Sequence, residues 1–213
     1  MPTLALVLCG IWFVVVFVLR TAIQWWRTRS TGFKGFHGKP GSLPWVAGVM
    51  VSTGFALALG APVAALLHWP GGTLLLESGP LHWVGAGFLV LGTIGTLGAQ
   101  LSMGDSWRVG VDESEESRLV TTGLFAWVRN PIFSFMGLSQ LGLVLLIPTP
   151  VALLGAILSI VGVVLQVRLV EEPYLAHAHG ADYREYAARV GRFVPGVGRF
   201  KSPIVETPQA NDG

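Results

Sequence analysis

The stretch Leu119-Val120-Thr121-Thr122-Gly123-Leu124-Phe125-Ala126-Trp127-Val128-Arg129-Asn130-Pro131-Ile132-Phe133 stands between a polar connection and an apolar run. Asn130 suits a helix N-cap. Pro131 suits the first helical position, where its fixed φ is already helical and its missing N–H is not needed. A helix is therefore expected to start here and run through Leu146 or Ile147. The sixteen residues from Ile132 to Ile147 reach about 24 Å, short of a hydrocarbon core of about 30 Å. Arg129 and Asn130 should then lie at or slightly below the membrane surface, facing protein or a watered cavity. Free amides at such a helix start attract anions, so a carboxylate or phosphate could be held there. The plain alternative is a well-capped membrane helix with an interfacial arginine.

The rest of the chain sets the class. With 52% hydrophobic and 12% charged residues and a mean hydropathy of +0.61, it reads as a polytopic membrane protein. Apolar runs cover about Leu4 to Trp26, Pro44 to Leu67, Leu81 to Leu101, the short run after Pro131, and Val151 to Val170. No basic residue precedes the first run, which is long enough to span, so it does not read as a cleavable signal. Arg20 and Gln24 near its end either snorkel to the interface or face the bundle and touch a ligand. Pro62 should kink or end the second run. Gly92, Gly95 and Gly98 lie in an apolar helix with no strand before them and predict a close helix-packing face rather than a nucleotide loop. The single cysteine, Cys9, excludes an internal disulfide or a cysteine-based cluster, and no metal is expected.

Charge gives an orientation. Every lysine and arginine outside the spans falls in the first loop, the third loop or the C-terminal region, and the second and fourth loops have none. The positive-inside rule puts the N-terminus outside and the polar block in the cytosol. Basic residues that follow topology give no reason to expect nucleic acid, despite the net charge of +2. The acidic run Asp112, Glu113, Glu115 and Glu116 reads as a solvated loop. A surface helix is expected from about Ala181 to Val190, and a disordered tail from Lys201.

Four blocks in order then carry a resemblance: Leu-Val-x-x-Gly-x-Phe-x-x-x-Arg-Asn-Pro-x-Phe, Glu171-Glu172, Gly180-x-x-Tyr183-x-x-Tyr186, and Arg192-Phe193-Val194-Pro195. From about Ser106 to Gly196 the chain resembles the isoprenylcysteine carboxyl methyltransferase family of integral membrane methyltransferases. The resemblance implies an all-α integral membrane fold: three N-terminal transmembrane helices over 1–102, a core with two more over 103–200, and a tail over 201–213. A cytosolic C-terminal region would bind S-adenosylmethionine without a Rossmann domain, and the methyl acceptor would be lipophilic.

The residue roles implied are specific. A glutamate of the pair contacts the cofactor, Glu171 before Glu172. Arg129 and the amides around Asn130 would hold the methionine carboxylate. Leu119, Val120, Phe125, Pro131 and Phe133 would pack the adenosine, with Tyr183, Tyr186 and Arg192 closing the site. Trp107 and Arg108 would form an acceptor wall, and Arg168 would orient an acceptor carboxylate. Methyl transfer to an anion neutralises charge, so a water-poor site favours it and a carboxylate acceptor needs no general base.

The chain also departs from the pattern of the eukaryotic members. Asn130 stands for a histidine, Phe125 and Phe133 for tyrosines, and Val167 takes the place of an arginine that here follows as Arg168. The Gly-, Ala-, Val- and Arg-rich composition points to a bacterial inner membrane, where a small lipid or isoprenoid is as good an acceptor as a prenylcysteine. Two alternatives stay open: a membrane reductase using NADPH, and a non-catalytic lipid-binding membrane protein.

Overall fold

A computed structural model describes residues 1–31, 38–104 and 119–200. Those residues form helices and no strand: α1 (Pro2–Thr28), α2 (Leu43–Leu66), α3 (Gly79–Ser102), α4 (Pro131–Leu146), α5 (Pro150–Gln166) and α6 (Glu172–Arg189). A π turn, Val167–Glu171, joins α5 to α6, and another, Val14–Leu19, lies inside α1. Four helical stretches are long and apolar enough to cross a membrane: α1, α2, α3 and Pro150–Arg189. The fifth, α4, is apolar but has only sixteen residues. Each expected span is thus a helix, and the described residues contain no Rossmann sheet. Pro62 stays inside α2, fully buried, and the helix ends four residues later at Leu66.

Two antiparallel pairs make the frame, α3 with α4 and α2 with α5. Small residues explain both. A Cβ on Gly85, Gly92 or Gly142 would run into the backbone of the facing helix, and one on Gly54 would meet the backbone of Ser159. Lipid tails are as apolar as leucine, so this close approach with its dispersion energy, together with hydrogen bonds between helices, holds them together. The expected packing face is right at Gly92 and at Gly95, which lies against the ring of Phe135. Gly98 faces open space, and Gly85 takes its place in the seam. Gln140 Nε2 donates to Ser159 Oγ at 3.1 Å and ties α4 to α5. On one side of this frame, α1 packs through Ala5, Cys9, Trp12 and Val16.

The ends of the bundle differ. At one end the α2–α3 and α4–α5 loops are joined, with Leu75 N–H on Pro148 O (2.7 Å) and Val151 N–H on Gly71 O (3.2 Å). The polar block lies at the other end, as alternating spans require. The surface helix expected over Ala181 to Val190 is instead the second half of α6. That helix bends at Gly180 (φ 51°, ψ −119°) and buries Tyr183 and Tyr186 against Leu119, Leu175 and Phe200. Two large aromatic faces gain more from packing than from solvent, which overrides the polar pattern. Trp107, Arg108, the acidic run and the tail from Lys201 lie outside the described residues.

Candidate active site

The polar block is built by turns that leave few choices. Gly123 takes φ 61°, a conformation that costs glycine nothing, and opens the 3₁₀ turn Gly123–Ala126. That turn buries Phe125, whose carbonyl accepts the Tyr186 hydroxyl at 2.6 Å. The chain then runs beside the segment after α6: Arg129 N–H donates to Gly191 O (2.8 Å) and Asn130 N–H to Arg192 O (3.0 Å). Helix α4 starts at Pro131 as expected, but Asn130 does not cap it. Its side-chain Nδ2 donates to Arg192 O at 3.2 Å instead, and Ser134 Oγ donates to Phe193 O at 2.7 Å. The residues at this helix start are spent on holding the 191–193 backbone.

Glu172 is the centre. Arg192 grips it as a fork, Nε to Oε1 and Nη2 to Oε2, both at 2.8 Å. Arg129 Nη2 reaches Oε1 at 2.6 Å, with side chains only 2% and 7% exposed. The other Arg129 donors go to backbone: Nη1 to Ala187 O (3.0 Å) and Val190 O (2.6 Å), and Nη2 to Gly198 O (3.1 Å). Phe200 lies against its guanidinium, 5.1 Å from ring centroid to Cζ. One buried carboxylate thus faces two guanidiniums, and the local balance is positive. Charge-assisted bidentate contacts of this kind fix orientation as well as energy.

Ionisation follows from burial. Tyr183 is pushed far above the usual tyrosine range, first by burial and then by the charge of Glu172. Burial raises Tyr186 to about 12. The hydrogen bonds that Arg192 donates to Glu172 raise Arg192 above its ordinary value. Both tyrosines stay neutral and Arg192 stays charged at physiological pH, so these groups position rather than exchange protons.

The structure brings together Leu119, Phe125, Arg129, Asn130, Glu172, Tyr183, Tyr186 and Arg192, with Pro131 buried beside them. Val120, Phe133 and Glu171 are half-buried at the margin. The role expected of Arg129 changes, because its Nη groups already serve Glu172 and three carbonyls. Arg168 is not in the cluster. The π turn points Val167 into the bundle, fully buried, and leaves Arg168 exposed. The sequence reading missed Ala187, Val190, Gly191, Gly198, Phe200 and Ser134. Backbone acceptors carry no side-chain signature, although Gly196 and Gly198, both at positive φ after Pro195, do signal a tight return of the chain.

A family model described as phospholipid methyltransferase matches residues 80–182. The match spans α3, the polar block, α4, α5 and the first part of α6, where the Arg129–Glu172 pair lies. No curated protein matches the chain. Residues 80–182 are thus similar to the phospholipid methyltransferase family, which lies within the superfamily of integral membrane methyltransferases that the four sequence blocks resemble.

Proposed function

We propose that the chain transfers a methyl group from S-adenosylmethionine to a lipophilic acceptor at the cytosolic edge of a membrane, with its N-terminus outside. The observation that carries this is the Arg129–Glu172–Arg192 lock, of which Arg129 and Glu172 lie inside the segment that matches the methyltransferase family model. The lock engages Glu172, and the neighbouring Glu171, half-buried at the margin, is the carboxylate we assign to the cofactor's ammonium or ribose hydroxyls. The unpaired first amides of α4 and the positive balance of the lock suit the methionine carboxylate. Buried Arg129 Nε has no hydrogen-bond partner among the described residues, a further donor of the right sign. Leu119, Val120, Phe125, Pro131 and Phe133 offer an apolar wall for the adenosine. These residues fit the cofactor in the kind of group each presents.

When bound, S-adenosylmethionine supplies an electrophilic methyl on a sulfonium. The chain's contribution is alignment and exclusion of water, both favoured at the end of a short helix sunk below the membrane surface. Trp107 and Arg108 are proposed to wall the acceptor. Arg168, on the exposed side of the π turn, is placed to meet an anionic acceptor group arriving from the lipid.

Calorimetric titration of the detergent-solubilised protein with S-adenosylhomocysteine, with NADPH for comparison, is the test. Micromolar binding of the former alone supports methyl transfer. Binding of NADPH alone moves the activity to reduction, and binding of neither by folded protein leaves a non-catalytic lipid-binding role.

A further inference from the structure

The segment that closes the lock is apolar on its outer side. After α6 the chain reverses over Val194-Pro195-Gly196-Val197. Val197 N–H donates to Val194 O at 3.1 Å, and Arg192 N–H donates to Val197 O at 2.7 Å. Proline in second place and glycine in third, the latter at φ 78°, are what a type II turn requires. The turn rests on Gly191, which is buried and where a Cβ would strike Val194 O. Its shape is thus fixed, yet Val194 and Val197 are 56% and 62% exposed. Trp127, one residue before the rung that joins Val128 to Gly191, is 70% exposed. None of these three residues belongs to a spanning helix, and the described residues leave their side chains bare.

Depth decides what these side chains meet. Ser134 lies in the first turn of α4, and its Oγ donates to Phe193 O at 2.7 Å. The backbone next to Val194 is therefore pinned to that first turn. Helix α4 reaches only about 24 Å of a hydrocarbon core of about 30 Å. With its far end at the opposite edge, its first turn lies at or below the membrane surface, and a turn fastened there cannot stand in bulk water. The charges agree. Arg199 is exposed and its guanidinium lies beside Gly196, while Arg184 and Arg189 are exposed on α6. Tryptophan and aliphatic side chains edged by arginines suit the boundary between acyl chains and anionic headgroups. We propose that Trp127, Val194 and Val197 seat the site-closing segment in the membrane leaflet at this end of the bundle, with Arg199 on the anionic headgroups of that leaflet. Val190 O and Gly198 O, on either side of the turn, accept from Arg129. The bilayer thereby holds in place the carbonyls that complete the lock. The inference stands on the fold and does not depend on the methyl-transfer reading.

The test is the depth of spin labels on the full chain, in a Cys9→Ala background, in nanodiscs of phosphatidylcholine and phosphatidylglycerol. Labels on Val194→Cys and on Val197→Cys should relax faster with oxygen than with a water-soluble nickel chelate. A label on Arg184→Cys, at an exposed position of α6, should show the reverse order. Adding Arg199→Gln, or leaving out the phosphatidylglycerol, should shift the Val197 label towards the chelate, and adding Val194→Asp should shift it further. Chelate-dominated relaxation at both turn positions overturns the proposal. Shielding of both from oxygen and chelate alike means that protein covers the turn, a second copy or another part of this chain, and overturns it too. A Val197 label that keeps its depth without phosphatidylglycerol and in Arg199→Gln overturns the assignment of Arg199 to anionic headgroups. If Val194→Asp does not fold, the two labels in the otherwise unaltered chain still decide.

Discussion

At the residue scale the adjacent glutamates sit differently, Glu172 held by two arginines and Glu171 half-buried at the margin, and they should fail differently. Glu172→Gln leaves two buried guanidiniums facing a neutral amide. Removing one partner of a buried ion pair costs about 3–5 kcal/mol, so this variant should melt far below the parent protein. Glu171→Gln should cost less stability than Glu172→Gln and lose S-adenosylhomocysteine affinity; undiminished calorimetric affinity would remove Glu171 from the site. The sequence could not separate the two. Adjacent helical positions point about 100° apart, and which one faces inward depends on the π turn before them, which no residue type announces. Tyr186 gives a pH test. Its folded pKa, raised to about 12, lies above the unfolded value of about 10. Its contribution is therefore complete below about pH 10 and is lost as pH rises towards about 12. Alkaline unfolding followed by helical signal should coincide with tyrosinate absorbance. Tyr186→Phe, which cannot ionise, should flatten that alkaline loss while lowering stability at neutral pH by about 1 kcal/mol through the lost bond to Phe125 O.

At the scale of elements, the spans were legible because apolar runs are long and prolines mark the starts of α2, α3, α4 and α5. Pro131 fixed the start of α4 without help from its neighbour, since Asn130 turned out to bind Arg192 O. The helix seams were less legible, because a glycine inside a membrane helix looks the same whether it faces a neighbour or lipid. Gly92 and Gly98 sit on one helix and make the comparison clean. Gly92→Ala places a Cβ against the backbone of α4 and should cost about 1–3 kcal/mol. Gly98→Ala meets nothing and should be neutral or gain up to about 1 kcal/mol through helix propensity. Unfolding in mixed detergent, scored by helical signal, would show the two apart; equal losses would mean that α3 packs on another face.

At the scale of the whole molecule, five alternating spans put the α2–α3 loop and α6 on opposite sides of the membrane. In a Cys9→Ala background, an impermeant thiol reagent added to intact cells should label Glu77→Cys and spare Arg184→Cys, both at exposed positions. The reverse pattern would invert the proposed orientation. The proposed orientation rests on the positive charge in alternate loops. The closure of the site was not readable, because it rests on carbonyls contributed by the segment after α6. That closure has a consequence for the making of the protein. Arg129 precedes Gly198, one of the acceptors of its guanidinium, by 69 residues. At about 5–20 residues per second of synthesis, it waits roughly 3–14 s for that ligand. For the first 43 residues of that interval its charge has no Glu172 to meet and cannot be drawn below the membrane surface. Helix α4 should therefore pause in a shallow position on the ribosome-bound chain and sink together with α5 only once Glu172 and Arg192 have been translated.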